Sequence, residues 1–443
     1  MNQDELSELA QSALKSGADA AEVVYAERQA LSVSVRLSDL EEVEREESRD
    51  LGVRVLVGRR HASVSGSDLS AEGRRKLVER VVQMARLAAE DPYAGLPPRE
   101  RLALGAHIDL DLFDPSEPTP ELLEERAMAA EGAALAIDKV SNSEGASASW
   151  GRGLWRLATS DGFYGEHRGA HSSVSVAVVA AENGEMEVGY DGRSKRWAVD
   201  LPSPESLGAE AGRRAAAALG ARKLASSKAP VIFENRQAAS LLSPLIGAIA
   251  GPAVARGVSF LKDKLGQRLL PQALSLIDDP HKPRGAASSP FDDEGVTNSR
   301  RALIDEGVLT TWLLNSSSAR QLKMETTGHA SRGLAGPPGV SASNLSLTTG
   351  TRDLAGLMAD AGSGLLVSSM FGPSLNANTG DWSVGCAGFW FEGGEIAYPV
   401  NEITVAGNLI DLYGRLTPGS DPIERGGWTI PSLLIDSLAI AGK

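Results

Sequence analysis

Cysteine is almost missing from this chain of 443 residues. Cys386 stands alone, so no internal disulfide can form, and a reducing compartment is the expected setting. Long apolar runs are missing as well: nothing approaches the roughly 18 residues that cross a bilayer as a helix, so no membrane partner is expected. Met1 to Ser16 holds acidic residues and no apolar core, which argues against a signal peptide and leaves the cytoplasm as the expected location. Positive charge is in deficit. A formal net charge of −14 repels polyanions, so nucleic acid is not an expected partner. There is no Walker motif, no dinucleotide fingerprint and no basic stripe interleaved with aromatics. Aromatic residues make up only 5% of the chain, so any place where they gather carries information.

What is present describes a folded protein. Hydrophobic residues at 42% and charged residues at 23% are near the average for globular chains, and the length allows two or three domains. Leu6, Leu9, Ala10, Ala13 and Leu14 recur at helical spacing before Gly17. Ser70 with Glu72 opens a second helix that ends by Asp91-Pro92, Thr119-Pro120 opens a third that runs to Ala136, and Pro204 to Leu219 forms a fourth. Leu31 to Arg36, Leu51 to Gly58, Ser149 to Leu157, Ser172 to Ala180 and Glu187 to Trp197 read as strands, and Leu40 to Arg49 as an exposed one. The small, polar segment 223–230 reads as a linker before the apolar strand Val231 to Phe233. The division is therefore an N-terminal domain over 1–222 and a C-terminal domain over 231–443. After an Ala/Leu-rich segment from Arg236 to Ala250, the second half holds short strands and Gly-rich turns, with hairpins at Asp305-Glu306-Gly307 and Glu392-Gly393-Gly394. The fold class is α+β: helices packed on mixed strands in the first domain, mostly antiparallel β with one helix near its start in the second.

Candidate chemistry is sparse. His167 and His171 have the i, i+4 spacing of a metal pair, but Gly169 and the alternation after them favour a strand, where four residues span about 13 Å and cannot share an ion. Asp292, Asp293 and Glu294 followed by Gly295 lack the spacing of a calcium loop and read as an acidic turn with a surface that a partner could recognise. Ser259 and Lys262 match Ser-x-x-Lys without the companion motifs of that hydrolase class. Cys386 sits among Val384, Ala387 and Phe389, as a packed thiol does. The aromatics gather at Trp382, Phe389, Trp390, Phe391 and Tyr398, which suits a core or the wall of a peptide groove. Residues 328–343, with Gly336 and Pro337 inside, form a loop long enough to be functional.

The stretch from Gly380-Asp381-Trp382-Ser383 through Gly388 to Ile396 resembles the C-terminal signature of the TldD/PmbA peptidase family, PmbA/TldE-like branch. Leu31 to Arg36, Leu51 to Val55, Asp91 to Leu96, Phe291 to Gly295, Leu303 to Leu309 and Pro399 to Asn408 look like further blocks of that family in its order, so the resemblance covers essentially the whole chain. TldD-type members carry zinc on His-Glu-x-x-x-His, with a Cys from the C-terminal region. Here Ser243, Pro244 and Ala248 fall where that motif would lie. The resemblance implies a catalytically silent subunit, with no catalytic residue, metal or cofactor of its own, whose zinc is carried by a TldD-like paralogue. It implies a heterodimer with that paralogue, with a homodimer as the assembly in isolation, and unfolded or extended peptides of microcin-precursor or antitoxin type as substrate. Trp382, Phe389, Trp390, Gly336, Pro337, Asp292, Asp293 and Glu294 are the candidate contacts to peptide or partner. The alternative is a protein-binding regulator of DNA gyrase or of toxin-antitoxin systems without proteolysis; an autonomous hydrolase using Ser259 or Cys386 is a third reading.

Overall fold

The computed structural model describes residues 1–442. Helix α1 (Gln3–Lys15) starts where Asn2 and Glu5 cap each other reciprocally, and it buries Leu6, Leu9, Ala10 and Ala13. Strands β1 (Ala20–Arg36), β2 (Asp39–Val57) and β3 (Arg60–Gly66) follow as an antiparallel meander. Helix α2 (Ala71–Leu87) is capped by Ser70, and α3 (Pro120–Leu135) by Thr119 with proline in its first turn. Strands β4 (Val140–Thr159), β5 (Tyr164–Glu182) and β6 (Glu185–Lys195) complete one six-stranded sheet in the order β3-β2-β1-β4-β5-β6, with every neighbouring pair antiparallel.

Period-two alternation decides which face of this sheet is covered. Leu31, Val33, Val35, Ala148, Trp150, Val174, Val176 and Val178 lie under α3 and α4 (Pro204–Ala218). Further along, Val23, Tyr25, Leu51, Val53 and Val55 lie under α1 and α2. Gly208 lets α4 approach α3 closely, because a Cβ there would overlap the Ala130 carbonyl oxygen. On the opposite face the same strands place Ala26, Ala30, Gly151, Gly153 and Gly169, small residues over some of which longer side chains lie.

The second half is built around β7 (Ser227–Phe233), which begins four residues before Val231 because Ser227 to Ala229 pair with Leu438 to Ile440. The last four residues of the segment read as a linker, 227–230, are thus part of the sheet. Strands Gly364–Leu375, Asp381–Glu392 and Glu395–Asn408 form a meander beside β7, and Leu433–Ala441 lies on its other side. Thr404 to Ala406 also pair with Ala439 to Ala441, so the sheet closes on itself. Val231, Phe233, Val367, Val384, Cys386, Val405 and Ile435 belong to the buried core of this half, which helix α5 (Asn235–Ala248) joins through Leu241, Leu242 and Leu245. A smaller sheet centred on Leu276–Asp279 carries the hairpin Arg301–Asp305 to Val308–Leu309, and both hairpin turns lie where the sequence places them. The loop over 328–343 holds a two-residue pairing, Ala330–Ser331 with Gly339–Val340.

Candidate functional site

The positions that the resemblance sets against the zinc motif lie on α5. Ser243 is exposed, Pro244 half-buried and Ala248 buried. Pro244 is inside the helix and has no N–H to give to the carbonyl of Ser240. The Tyr413 hydroxyl donates to the Leu241 carbonyl at 3.1 Å, and the Ser259 hydroxyl donates to the Ala248 carbonyl at 2.6 Å. A hydroxyl, a proline ring and a methyl group cannot replace two imidazoles and a carboxylate, so this donor set does not fit zinc. Among the described residues, no group of three or more His, Cys, Asp or Glu is placed to hold a metal ion. Cys386 is fully buried, and burial pushes its thiol up to about 12, which keeps it an S–H group at neutral pH. Ser259 is equally enclosed. Its oxygen also accepts from the Leu261 N–H, while Lys262 Nζ turns to the Gly257 carbonyl at 3.4 Å, so the two do not form a nucleophile pair.

The aromatic cluster is divided. Trp382 is buried, with its ring 6.3 Å from that of Phe233, in the closed-sheet core. Phe389 packs on the separate group around Ile232, Leu357 and Phe391. Trp390 is half-buried and its Nε1 donates to Glu392 Oε1 at 3.1 Å. Trp390 packs on the same core as Trp382, while Phe389 lies on the other side of the strand.

The acidic turn and the long loop, by contrast, are brought together. Asp292 Oδ1 accepts from the Glu294 and Val296 N–H groups at 3.0 and 2.8 Å, and Oδ2 accepts from the Ala330 N–H at 3.0 Å. Asp293 Oδ2 accepts from the Arg332 N–H at 2.9 Å. Glu294 Oε2 accepts from the N–H and the hydroxyl of Ser316 at 2.9 and 2.7 Å. Asp292 and Glu294 are buried, so their carboxylates shape the chain from inside instead of presenting themselves to a partner. Gly336 is half-buried and Pro337 is exposed at the far side of the same loop.

From this unit Arg332 reaches into the other half. Its Nη1 meets Glu22 Oε2 at 3.1 Å, and the same oxygen takes Arg54 Nη1 at 2.5 Å, with all three side chains essentially out of solvent. Leu334 continues the contact by packing beside Val24, Leu157, Phe163 and Phe291. Burial pushes the Glu22 carboxyl up, but Arg54 and Arg332 outweigh it and hold the group below its ordinary range. Among the described residues no cation forms an ion pair with Asp292 or Glu294, and the charge of Arg54 offsets the burial of Glu294 only in part. Burial and then the charge of Glu294 raise Asp292 well above the carboxylate range, and burial raises Glu294.

A pH dependence follows. A carboxyl whose folded pKa is raised contributes fully below its unfolded value and loses that contribution as pH rises through the folded one. From about pH 4.5, the ordinary glutamate value, Glu294 should therefore cost the native state progressively more as pH increases. Glu294→Gln keeps an acceptor for Ser316 and removes the titration. Denaturant midpoints at pH 5 and pH 8 should show the variant gaining on the parent at the higher pH; a constant difference would rule out this account.

A cleft of about 860 Å³ opens above the uncovered face of the first sheet. Its floor includes Ala26, Ala30 and Gly153, one wall is formed by Arg332 to Leu334, and His167, His171 and Arg196 line the opposite side. The two histidines do lie on a strand, β5. The contribution of Arg196 has no signature in the sequence, because it depends on a residue after β6 folding back across β5.

Comparisons with known proteins agree over the whole length. The C-terminal domain model of the PmbA/TldA metallopeptidases matches residues 226–442, the central domain model 113–219 and the domain 1 model 21–85. The last two regions contribute strands to the same six-stranded sheet. The metalloprotease PmbA of Escherichia coli O157:H7 is 40% identical over 96% of this chain and 93% of its own, and the PmbA homologue of Haemophilus influenzae 35% identical over 97% and 94%. A crystal structure from Bacteroides thetaiotaomicron, named for a proposed modulation of DNA gyrase, superposes with a TM-score of 0.91 at 30% identity and full coverage of both chains. TldE of Thermococcus kodakarensis has the same fold, with a TM-score of 0.87 at 20% identity over 98% of this chain and 99% of its own. The chain belongs to the PmbA/TldD metallopeptidase family.

Proposed function

We propose that this chain is the metal-free subunit of a two-component zinc peptidase acting on unfolded or extended peptides in the cytoplasm. What supports this reading is the donor set on α5: at Ser243, Pro244 and Ala248, the positions that the resemblance sets against His-Glu-x-x-x-His, a hydroxyl, a proline ring and a methyl group offer no ligand set for zinc. The chain keeps the complete family fold, with the long sheet and its open cleft, and so retains what is needed to enclose a peptide. In this reading zinc and the general base come from a paralogue carrying His-Glu-x-x-x-His, and this chain supplies walls that admit an extended strand and exclude folded protein.

The test is reconstitution. The purified chain should contain no stoichiometric zinc and should leave an unstructured fluorogenic peptide intact. Adding the His-Glu-x-x-x-His paralogue should give a heterodimer by sedimentation and hydrolysis that stops with a chelator. Robust hydrolysis by the isolated chain would reject the proposal. So would full activity of the paralogue alone, unchanged when this chain is added.

A further inference from the structure

The cleft carries an arrangement that the closed-sheet half does not. His167, Gly169 and His171 alternate on one face of β5, so their positions follow one another at about 6.6 Å. Arg196, the residue after β6, lays its guanidinium over the middle position, where a Cβ on Gly169 would come within 2.7 Å of Nη1. Three main-chain carbonyls hold it there: Gly285 at 3.3 Å from Nε, Ala170 at 3.5 Å from Nη1 and Ala286 at 2.6 Å from Nη2. The His171 ring lies over Gly151 in the same way. The outcome is a row of imidazole, guanidinium and imidazole along the cleft wall.

The charge in this row is unanswered. Arg54, Arg214 and Arg236 are each paired with a carboxylate, whereas among the described residues Arg196 bonds only to neutral carbonyls and feels burial without a compensating acid. Its field adds to burial in depressing both histidines, His167 down to about 4, so each ring is neutral and keeps one N–H to donate. Glu46 and Asp50 line the cleft as well, but they project from β2, across β1 and β4 from the row on β5. The intervening floor holds Ala26, Ala30 and Gly153 together with Arg28, which pairs with Gly153 across β1 and β4 and adds its charge near His171. A fixed, half-buried cation with no counter-ion among the described residues, flanked by neutral donors and opening on a floor whose own charge is the positive one of Arg28, is complementary to one anionic group at the end of an extended chain.

We propose that this cleft recognises the C-terminal carboxylate of an extended peptide, with Arg196 as the anchoring cation and His167 and His171 as flanking donors. The proposal rests on the peptide-handling reading above and gives it a direction: the free chain end docks in this subunit, and the body of the peptide runs along the sheet.

Binding to the isolated full-length chain tests it without any activity. A fluorescein-labelled unstructured octapeptide is titrated as the free acid and as the C-terminal amide. The acid should bind about ten- to a hundredfold more tightly, the range that a hydrogen-bonded charge pair supports. Arg196→Gln should erase the difference while leaving amide binding unchanged. Gly169→Ala, which keeps the arginine and displaces its guanidinium, should do the same, and unchanged melting temperatures would exclude misfolding. Equal binding of acid and amide by the parent chain would overturn the carboxylate site while leaving the two-component peptidase standing. Full affinity in an amide ending in glutamate would overturn the chain-end assignment, and failure of both peptides to bind would overturn the proposal outright. The reconstituted hydrolysis assay judges the peptidase reading separately.

Discussion

Glu22→Ala is expected to lower the unfolding free energy by about 3–5 kcal/mol, since removing one member of a buried ion group leaves uncompensated charge in the interior. Two guanidiniums depend on one carboxylate oxygen: Arg54 from β2 at 2.5 Å and Arg332 from the long loop at 3.1 Å. Without Glu22 both remain enclosed beneath the junction of the two halves. The exposed pair Arg49 and Glu27, on the same strands, provides the contrast; Arg49→Ala should change stability by less than about 1 kcal/mol. Arg332→Met tests the link itself, because it removes the bridge and leaves the Glu22–Arg54 pair. Chemical denaturation followed by tryptophan fluorescence measures all three. An effect of Glu22→Ala no larger than that of Arg49→Ala would show that this group does not hold the halves together.

Phe291→Ala is expected to cost a similar amount, about 3–5 kcal/mol, by leaving a cavity that its surroundings cannot close. The ring is fully buried among residues from distant parts of the chain. Phe163 meets it edge-on at 5.5 Å between centroids, His107 tilts against it at 4.8 Å, and His167 stands edge-on at 5.9 Å. Gly165 is cut to fit, because a Cβ there would come within 2.5 Å of the Phe291 ring, so β5 cannot move its main chain inward without repacking the site. Phe291→Leu, which retains most of the volume, should recover much of the loss. Since His167 rests on this ring, Phe291→Ala should also weaken the acid-over-amide preference of the cleft. Loss of stability with the preference fully retained would separate the core from the cleft.

Much of this architecture was legible because local chemistry and tertiary structure agree. Ser70, Thr119 and Pro120 marked helix starts that the fold uses, and alternation identified β1, β2 and β5 from their apolar halves. Strand β4 was legible only from Ser149 to Leu157, although it runs from Val140 to Thr159, because its Ser- and Gly-rich start has no apolar period to detect. Asp292 and Glu294 read as surface acids. They are buried because main-chain N–H groups from residues 294, 296, 316 and 330 converge on them, and residue type alone cannot reveal the distant donors at 316 and 330. The aromatic run looked like one feature since it is contiguous in sequence, yet a strand sends successive residues to opposite sides, and Trp382 and Phe389 enter different cores.

The closed sheet of the second half has a consequence for biosynthesis. Its ring is completed only when residues 433–441 slot between β7 and the strand Glu395–Asn408. Until residues 433–441 have taken that place, β7 and its neighbours present raw strand edges and an oily interior, a state prone to clumping. A chain interrupted before residue 433 would carry an unsealed second half, and would be a natural client for a chaperone.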